Sequence, residues 1–185
     1  MMEQQKTQLA QGAFYQDSLA HLVDELRRLD MRIQRHITTL RPQCLAAQGM
    51  AAAKGVYITH DEVDALLNQK DADDAQPRAV AADHLDTTFA ANITASAQQG
   101  IFLSLPYVAH LFALSAFEVQ TLIVCLAPEL RRKYDTLYAY LQDDVTRKRP
   151  SVDLILDLLC TSEAERWRAR TTVFSDQAPT PPKAA

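Results

Sequence analysis

Glycine is scarce in this 185-residue sequence, which contains only Gly12, Gly49, Gly55 and Gly100. A phosphate-binding P-loop needs the pattern Gly-x4-Gly-Lys-Ser/Thr, because its backbone amides must wrap closely around the phosphates. No pair of these glycines fits that pattern. The sequence therefore predicts that this chain does not bind and hydrolyse ATP by itself.

Cysteine and histidine are also sparse and lie far apart. The three cysteines, Cys44, Cys125 and Cys160, are typical of reduced thiols rather than of a disulfide framework. The five histidines form no His-Glu-x-x-His motif and no Cys-x-x-Cys pair accompanies them, so zinc is not predicted. Ser115 lacks the Gly-x-Ser-x-Gly setting of an activated nucleophile. We expect no catalytic, cofactor-binding or metal-binding residue, and no enzyme.

Long apolar runs and an excess of positive charge are missing as well. No run reaches the roughly eighteen apolar residues of a membrane span, and the polar start MMEQQKTQ does not look like a signal peptide. The net charge of −4 gives no sequence-wide electrostatic footprint for nucleic acid. We therefore expect a soluble cytoplasmic protein.

What the chain does contain is helical periodicity. From Leu19 to Leu40 apolar residues recur every three or four positions, with charged residues between them, which predicts an amphipathic helix over 17–40 that Pro42 closes. We expect its apolar stripe to form core or a seam with a partner helix, and its charges to form a solvated face. A second four-residue period starts at Leu85, and Gly100 is expected to stop that helix.

Two short β-like runs precede helical patterns. The segments KGVYITHDEVDALL (54–67) and QGIFLSLPYVAHLF (99–112) match at a constant offset of 45 residues. This match predicts two related helix-strand-helix units with short β segments near 56–58 and 101–103. Between them, 70–83 is acidic and poor in large apolar groups, which indicates a linker or exposed loop.

The stretch 111–159 is the most apolar part of the sequence. Ser115 and Glu118 have the spacing of a capping box, so a helix should begin near Ala116, bury most of its circumference and be interrupted at Pro128. Substitution of Leu122 by Asp should therefore unfold the domain. Further on, Tyr134 and Tyr138 have the spacing of core residues rather than of a base-stacking platform. Ser151 and Ser162 are expected to cap two more helices, the second with a capping box to Glu165.

Two basic clusters are the feature most relevant to binding. They lie at 131–133 and 147–149, and acidic residues among them leave only a small local excess of positive charge. We predict a surface for a protein partner here, made by the following residues: Arg131, Arg132, Lys133, Asp143, Asp144, Arg147, Lys148 and Arg149. The alternative is that the six cations bind DNA.

One part of the amino-acid sequence is distinctive. Its segments are Leu114-Ser115, Phe117-Glu118, LAPEL at 126–130, Tyr134, LYAYLQDD at 137–144 and RPSVDL at 149–154. Together these segments resemble the N-terminal winged-helix region of bacterial AAA-family ATPases. These include the ATPases encoded with extracellular contractile injection systems. The resemblance is strongest over 83–160. Such ATPases carry their P-loop, with ATP and Mg, in a downstream AAA module that this sequence lacks.

The resemblance implies a mainly α fold, a winged-helix-like helical domain preceded by an N-terminal amphipathic helix. It implies an N-terminal helical lobe at 1–69 (long helix 17–40, strand and helix 55–69), the linker 70–83, a winged-helix-like domain at 84–172 and a disordered tail at 173–185. The expected function is non-catalytic docking of injection-system components or effector cargo in a bacterial cytoplasm, with oligomers formed through the ATPase module. Nucleic acid and membranes are not expected partners. The alternatives are a winged-helix DNA-binding protein and a self-assembly domain driven by the 19–40 helix.

Overall fold

The computed structural model describes residues 14–51, 58–68 and 85–174 of the chain. Within these ranges the chain is helical and has no β-strand. The helices are α1 (Ser18–Ala51), α2 (His60–Asn68), α3 (Leu85–Gln98), α4 (Ser104–Leu111), α5 (Ala116–Leu130), α6 (Lys133–Leu141), α7 (Val152–Leu159) and α8 (Glu163–Thr172). Among the helices in these ranges, none is long and apolar enough to cross a lipid bilayer.

The chain divides into two compact units, and each takes its residues from separate parts of the sequence. Of the described residues, unit 1 holds 14–24 and 85–113, and unit 2 holds 25–51, 58–68 and 114–174. One boundary therefore falls inside α1. The domain limits drawn from the sequence stay a prediction, and the predicted linker 70–83 and residues 175–185 of the predicted tail lie outside the described residues.

Helix α1 is longer than its sequence pattern predicts. Asp17 starts it by accepting a hydrogen bond from the amide of Ala20 (2.8 Å), and the helix continues through Pro42 to Ala51. The prediction that Pro42 closes the helix is wrong. An internal proline costs about 3 kcal/mol because it removes an amide donor and crowds the preceding turn. The Ala- and Gln-rich sequence that follows favours helix strongly enough to continue it.

The middle of the apolar stripe of α1 is confirmed as core, whereas Leu19 at its start is exposed, and the charged residues of the helix are not all solvated. Leu26, Leu29, Ile33 and Ile37 are buried in unit 2. Glu25 is only 3% exposed, so the expectation of a solvated charge is wrong for this residue. Its carboxylate accepts hydrogen bonds from Arg28 (3.1 Å) and from the Gln120 amide (3.2 Å), which compensate its burial.

In unit 1, Tyr15 packs against α3 and is hydrogen-bonded to it. The rings and side chains of Tyr15, Phe89 and Leu103 form a small core. Ser96, which is fully buried, accepts a hydrogen bond from the Tyr15 amide and donates one to the carbonyl of Asn92, both at 2.8 Å. Burial of these polar groups is therefore compensated by hydrogen bonds along α3.

The end of α3 is confirmed at Gly100. Gly100 has φ +71°, its amide donates to Ala97, and the amide of Ile101 donates to Ser96. These two bonds make a Schellman motif, whose C′ position favours glycine because a side chain is strained at positive φ.

The predicted β segment near 101–103 is wrong. Residues 101–103 lie outside any strand, although Leu103 has extended backbone angles. Ser18 replaces a strand partner, since its hydroxyl donates to the Phe102 carbonyl (3.1 Å) and accepts from the Ser104 amide (2.9 Å). Of the other predicted segment, 56–57 lie outside the described residues and Ile58 is not in a strand.

The proposed repeat does not extend to the helix starts. Thr59 accepts a hydrogen bond from the Glu62 amide (3.2 Å) and so caps α2. In the matching position Ser104 bonds to Ser18 instead, and α4 has no side-chain cap. The repeat itself stays a prediction.

In unit 2, helix α5 begins as predicted but buries only one face. Ser115 and Glu118 form the capping box, and Ile123, Val124, Ala127 and Pro128 are buried. Leu122 is 41% exposed, so the prediction of burial around most of the helix is wrong, and the expectation that Leu122→Asp unfolds the domain loses its basis. The apolar run is wider than the surface that the neighbouring helices cover.

Pro128 does not interrupt α5, which continues to Leu130. A proline at 128 has no amide hydrogen to offer the carbonyl of Val124, four residues earlier. The hydroxyl of Tyr138 donates to that carbonyl at 2.8 Å. Tyr138 thereby satisfies the acceptor that the proline leaves without a partner.

Around α5 the rest of unit 2 is packed helix on helix. α5 packs against α6 and α7, α2 against α6, and α7 against α8. Tyr134, Leu137 and Tyr138 of α6 are fully buried, as the sequence predicts. Ser151 caps α7 and Ser162 caps α8, but the short hydrogen bonds that Glu165 accepts come from the amide and hydroxyl of Thr161 (2.8 Å), so the capping box predicted for Ser162 and Glu165 is only half formed.

Candidate functional site

The two basic clusters are placed by the ends of α6. Arg131 and Arg132 form the turn from α5 into α6, Lys133 is the first residue of α6, and residues 147–149 lie in the loop between α6 and α7. All lie in unit 2.

Lys133 is turned into unit 2 rather than toward a partner. Its ammonium lies 2.8 Å from the carboxylate of Asp30, and its side chain is only 7% exposed. The hydroxyl of Tyr134 donates to the other oxygen of Asp30 at 2.9 Å. Burial raises the pKa of Asp30, and Lys133 and Tyr134 oppose that shift by stabilising the carboxylate. Lys133 is therefore part of a buried network and not of a binding surface.

Two cations of the loop between α6 and α7 pair with carboxylates at the surface. Arg147 lies 3.2 Å from Asp144, and Arg149 lies 2.6 Å from Glu129 of α5. Asp144 also accepts hydrogen bonds from the amide and hydroxyl of Thr146, which hold the pKa of its carboxyl below the usual value. The neighbouring Asp143 is exposed and has φ +50°, so it takes the left-handed position that ends α6.

Gln142 determines the shape of this loop, and sequence reasoning missed it. Its amide nitrogen lies 3.0 Å from the carbonyls of both Arg147 and Arg149, and its oxygen accepts from the amide of Ser151 at 3.1 Å. A glutamine beside two aspartates in a charged turn gives no sequence signal for this role. The side chain holds the loop against the C-terminal end of α6.

Arg132 and Lys148, one from each cluster, meet at a cavity of about 460 Å³. Its other lining residues are the apolar Ile58, Ala139 and Val145, the acidic Glu62 and Asp135, and Thr136. The structure pairs neither Arg132 nor Lys148 with a carboxylate within the described part of the chain. We call these eight residues the α2–α6 cavity. Its lining combines apolar side chains with both signs of charge.

A second depression of about 400 Å³ lies between α5, α7 and α8. Phe117, Leu159, Ala169 and Val173 give it an apolar lining, and Arg168 stands at its side. The ring of Phe117 meets that of Phe174 edge to face, with 6.3 Å between centroids. Cys160 also lines this depression, and burial and the nearby Glu165 raise the pKa of its thiol, which favours the protonated form.

Sequence reasoning also missed two acidic residues that the fold brings to the basic clusters, Asp30 and Glu62. Asp30 was recognisable in principle, because it stands four residues after Leu26 and three before Ile33, at the edge of an apolar stripe where a carboxylate needs a partner. Glu62 and Ile58 come from a distant part of the sequence, and only the fold brings them to Arg132 and Lys148. In the described ranges no three His, Cys, Asp or Glu side chains come together as a metal site.

The described residues thus form a helical module with a cavity whose lining is both apolar and charged. The family model "winged helix domain, variant" matches residues 2–179, and the chain belongs to that family. No curated protein and no solved structure matches the chain significantly. Membership is consistent with a module that binds DNA or another protein.

Proposed function

We propose that this chain is a non-catalytic protein-recognition module and that the α2–α6 cavity receives a polypeptide segment of its partner. The observation that carries this proposal is the composition of the cavity. An apolar floor surrounded by a polar rim is the usual anatomy of a protein interface. The two cations and two carboxylates that line the cavity beside its apolar residues fit a segment with an apolar side chain flanked by both signs of charge.

The ion pairs that three cations of the basic clusters already make support a protein partner over DNA. Duplex DNA presents a dense array of phosphates, and its binding requires cations that are free to neutralise them. Lys133, Arg147 and Arg149 already pair with Asp30, Asp144 and Glu129. Glu62 and Asp135 in the cavity would repel phosphates placed near Arg132 and Lys148. The tyrosines that could stack on bases, Tyr134 and Tyr138, are fully buried.

In finer detail, we propose that the module recruits substrates or injection-system components to a AAA-family ATPase in the bacterial cytoplasm. The support for this step is the resemblance of 83–160 to the N-terminal regions of such ATPases. It requires that the chain itself bind no ATP, in line with its lack of a P-loop. ATP turnover by the purified 185 residues would contradict this part of the proposal.

Capture of the partner protein from an extract of the native cell tests whether the α2–α6 cavity binds it. The double variant Arg132→Glu with Lys148→Glu should reduce partner retention by about tenfold or more, because reversing two charges in the cavity lining costs at least ~1.4 kcal/mol of binding. The control, Arg35→Glu with Arg168→Glu, makes the same change in net charge at exposed positions outside the cavity. Equal loss in both variants, or no loss in the first, would count against the cavity.

A duplex titration separates the two classes of partner. We expect no saturable DNA binding at about 50 mM salt, where phosphate contacts are strongest. Binding that weakens by orders of magnitude between about 50 and about 200 mM salt, and that Arg132→Glu with Lys148→Glu removes, would favour the DNA-binding alternative.

The self-assembly alternative receives less support from α1. Self-association through the 19–40 helix would need an apolar stripe available to a partner. Leu26, Leu29, Ile33 and Ile37 are instead buried within unit 2. Their contacts are made inside the chain.

A further inference from the structure

Unit 1 presents a group of large apolar side chains to solvent. Phe102, Tyr107, Leu111 and Phe112 are each more than half exposed. The rings of Phe102 and Tyr107 lie in contact, with 5.3 Å between centroids, and Leu111 stands one helical turn after Tyr107 on α4. We call these four residues the aromatic patch. Exposed apolar patches rimmed by polar groups commonly mark interaction sites.

The sequence around the aromatic patch carries almost no charge. From Thr87 to Phe117 there is no Asp, Glu, Lys or Arg, although such residues make up 23% of the chain. Depletion of charge together with enrichment of aromatics is the signature of an interface core. The sequence neighbours of the patch therefore offer no Asp, Glu, Lys or Arg to a partner.

The size of the aromatic patch fits a dimer contact. Half-exposed aromatic and leucine side chains each offer on the order of 100 Å², so the four together offer roughly 400 Å² of apolar surface. A standard interface takes about 800 Å² from each partner, of which a little over half is apolar. The patch and its polar surroundings therefore supply about what one side of such an interface needs.

We propose that the aromatic patch docks against the same patch of a second copy of this chain. In a two-fold dimer each surface meets itself, so any charge near the axis would face its own like. The absence of Asp, Glu, Lys and Arg from residues 87–117 reduces that repulsion, and stacked rings from two copies can pack offset or edge to face. This self-association lies in unit 1, and it is separate from partner recognition at the α2–α6 cavity in unit 2.

Sedimentation of the full chain tests the proposal over a dilution series from about 1 to about 200 μM, where moderate association becomes visible. We expect a monomer–dimer equilibrium. Leu111→Glu should weaken it by at least about a hundredfold, because each copy would place a carboxylate in the apolar contact. Leu122→Glu is the matched control, since it makes the same change at an exposed leucine of unit 2. A wild-type monomer at the highest concentration, or equal weakening by both variants, would overturn the proposal.

A second measurement remains informative if Leu111→Glu folds poorly. A photo-crosslinking amino acid in place of Tyr107 should give a covalent dimer of the otherwise unaltered chain. Phe112→Ser in the same background should reduce the yield several-fold. Exclusive crosslinks within one chain would overturn the proposal and leave the patch to a different kind of partner.

Discussion

At the scale of single residues, Tyr138 and Pro128 act as a pair. Pro128 lies in the interior of α5, and Tyr138 on α6 donates its hydroxyl to the carbonyl that the proline leaves without an amide donor. Burial raises the pKa of Tyr138, so the hydroxyl stays protonated and remains a donor over the ordinary pH range. The two residues are ten apart in sequence, and nothing in their spacing suggests the interaction.

This pairing predicts a non-additive double-mutant cycle. Tyr138→Phe should lower the free energy of unfolding by about 1–3 kcal/mol, because the buried Val124 carbonyl loses its donor. In a Pro128→Ala background the same substitution should cost less, since the introduced alanine has a backbone amide that can take over as donor. Urea unfolding of the four proteins measures the coupling. Additive costs would show that the hydroxyl does not compensate for the proline.

Gly100 carries a second prediction at this scale. Gly100→Ala should destabilise the chain by about 1 kcal/mol, because φ is +71° there while the space around the missing Cβ is open, so backbone strain is the whole effect. Gly100→Asn is the matched control and should cost less, since asparagine tolerates left-handed angles better than alanine. Thermal unfolding of the three proteins compares them. Equal losses for both variants would contradict an origin in φ.

At the scale of elements, the two serine-capped helices α5 and α8 differ in a measurable way. Glu118 accepts hydrogen bonds from the amide and hydroxyl of Ser115, and these bonds lower the pKa of its carboxyl below 4.5. A lowered folded-state pKa contributes stability above the unfolded value, and that contribution is lost as the pH falls through the folded value. Glu165 has a lowered pKa as well, chiefly because of Thr161.

We therefore predict different pH responses for two serine deletions. Ser115→Ala should cost about 1 kcal/mol near neutral pH, and the cost should shrink as the pH falls below 4.5 through the lower folded pKa of Glu118. Ser162→Ala should cost a similar amount with little pH dependence, because Thr161 rather than the Ser162 hydroxyl holds Glu165. Denaturant unfolding at several pH values tests both. A flat response for Ser115→Ala would contradict the role of Glu118.

The two faces of α5 give a sharper prediction. Ile123→Asp should prevent folding, because Ile123 is 1% exposed and a carboxylate there would be buried without a partner. Leu122→Asp, one position away, should cost only about 1–2 kcal/mol, since Leu122 keeps 41% of its surface in water. Circular dichroism and thermal melting distinguish the two. Loss of folding in both would restore the expectation of a helix buried all round.

The sequence predicts an element well when the interactions that define the element are local, and poorly when they involve residues far away in the sequence. Some helix boundaries depend only on neighbours within a few residues, so the local sequence predicts them. These are the helix starts at Ser115, Ser151 and Ser162 and the helix end at Gly100. Other features depend on summed helix propensity or on partners far away in the sequence. They are the continuation of α1 through Pro42, the exposed face of α5 and the Ser18 hydrogen bonds that replace a strand at 101–103. The same holds for the candidate site, where the cations were visible but Asp30, Glu62 and Ile58 were not.

At the scale of the whole molecule, each unit combines segments that are far apart in the sequence. Unit 1 combines Tyr15 with α3 and α4, and unit 2 combines the apolar stripe of α1 with α5 to α8. Long-range pairs such as Asp30 with Lys133 belong to this arrangement. The winged-helix-like domain drawn from the sequence at 84–172 contains neither Tyr15 nor α1.

We therefore predict that a fragment of residues 84–172 does not fold alone. It would lack Leu26, Leu29, Ile33 and Ile37, four buried side chains each worth about 1.5–3 kcal/mol, and this loss is comparable to the whole stability of a typical domain. Lys133 and Tyr134 would also lose Asp30. The fragment should show weak helicity and no cooperative melt, and residues 14–69 added as a separate peptide should restore both. A cooperative melt of the fragment alone, at the helicity expected for α3 to α8, would show that the contacts with α1 are dispensable and that the sequence-drawn domain is a folding unit.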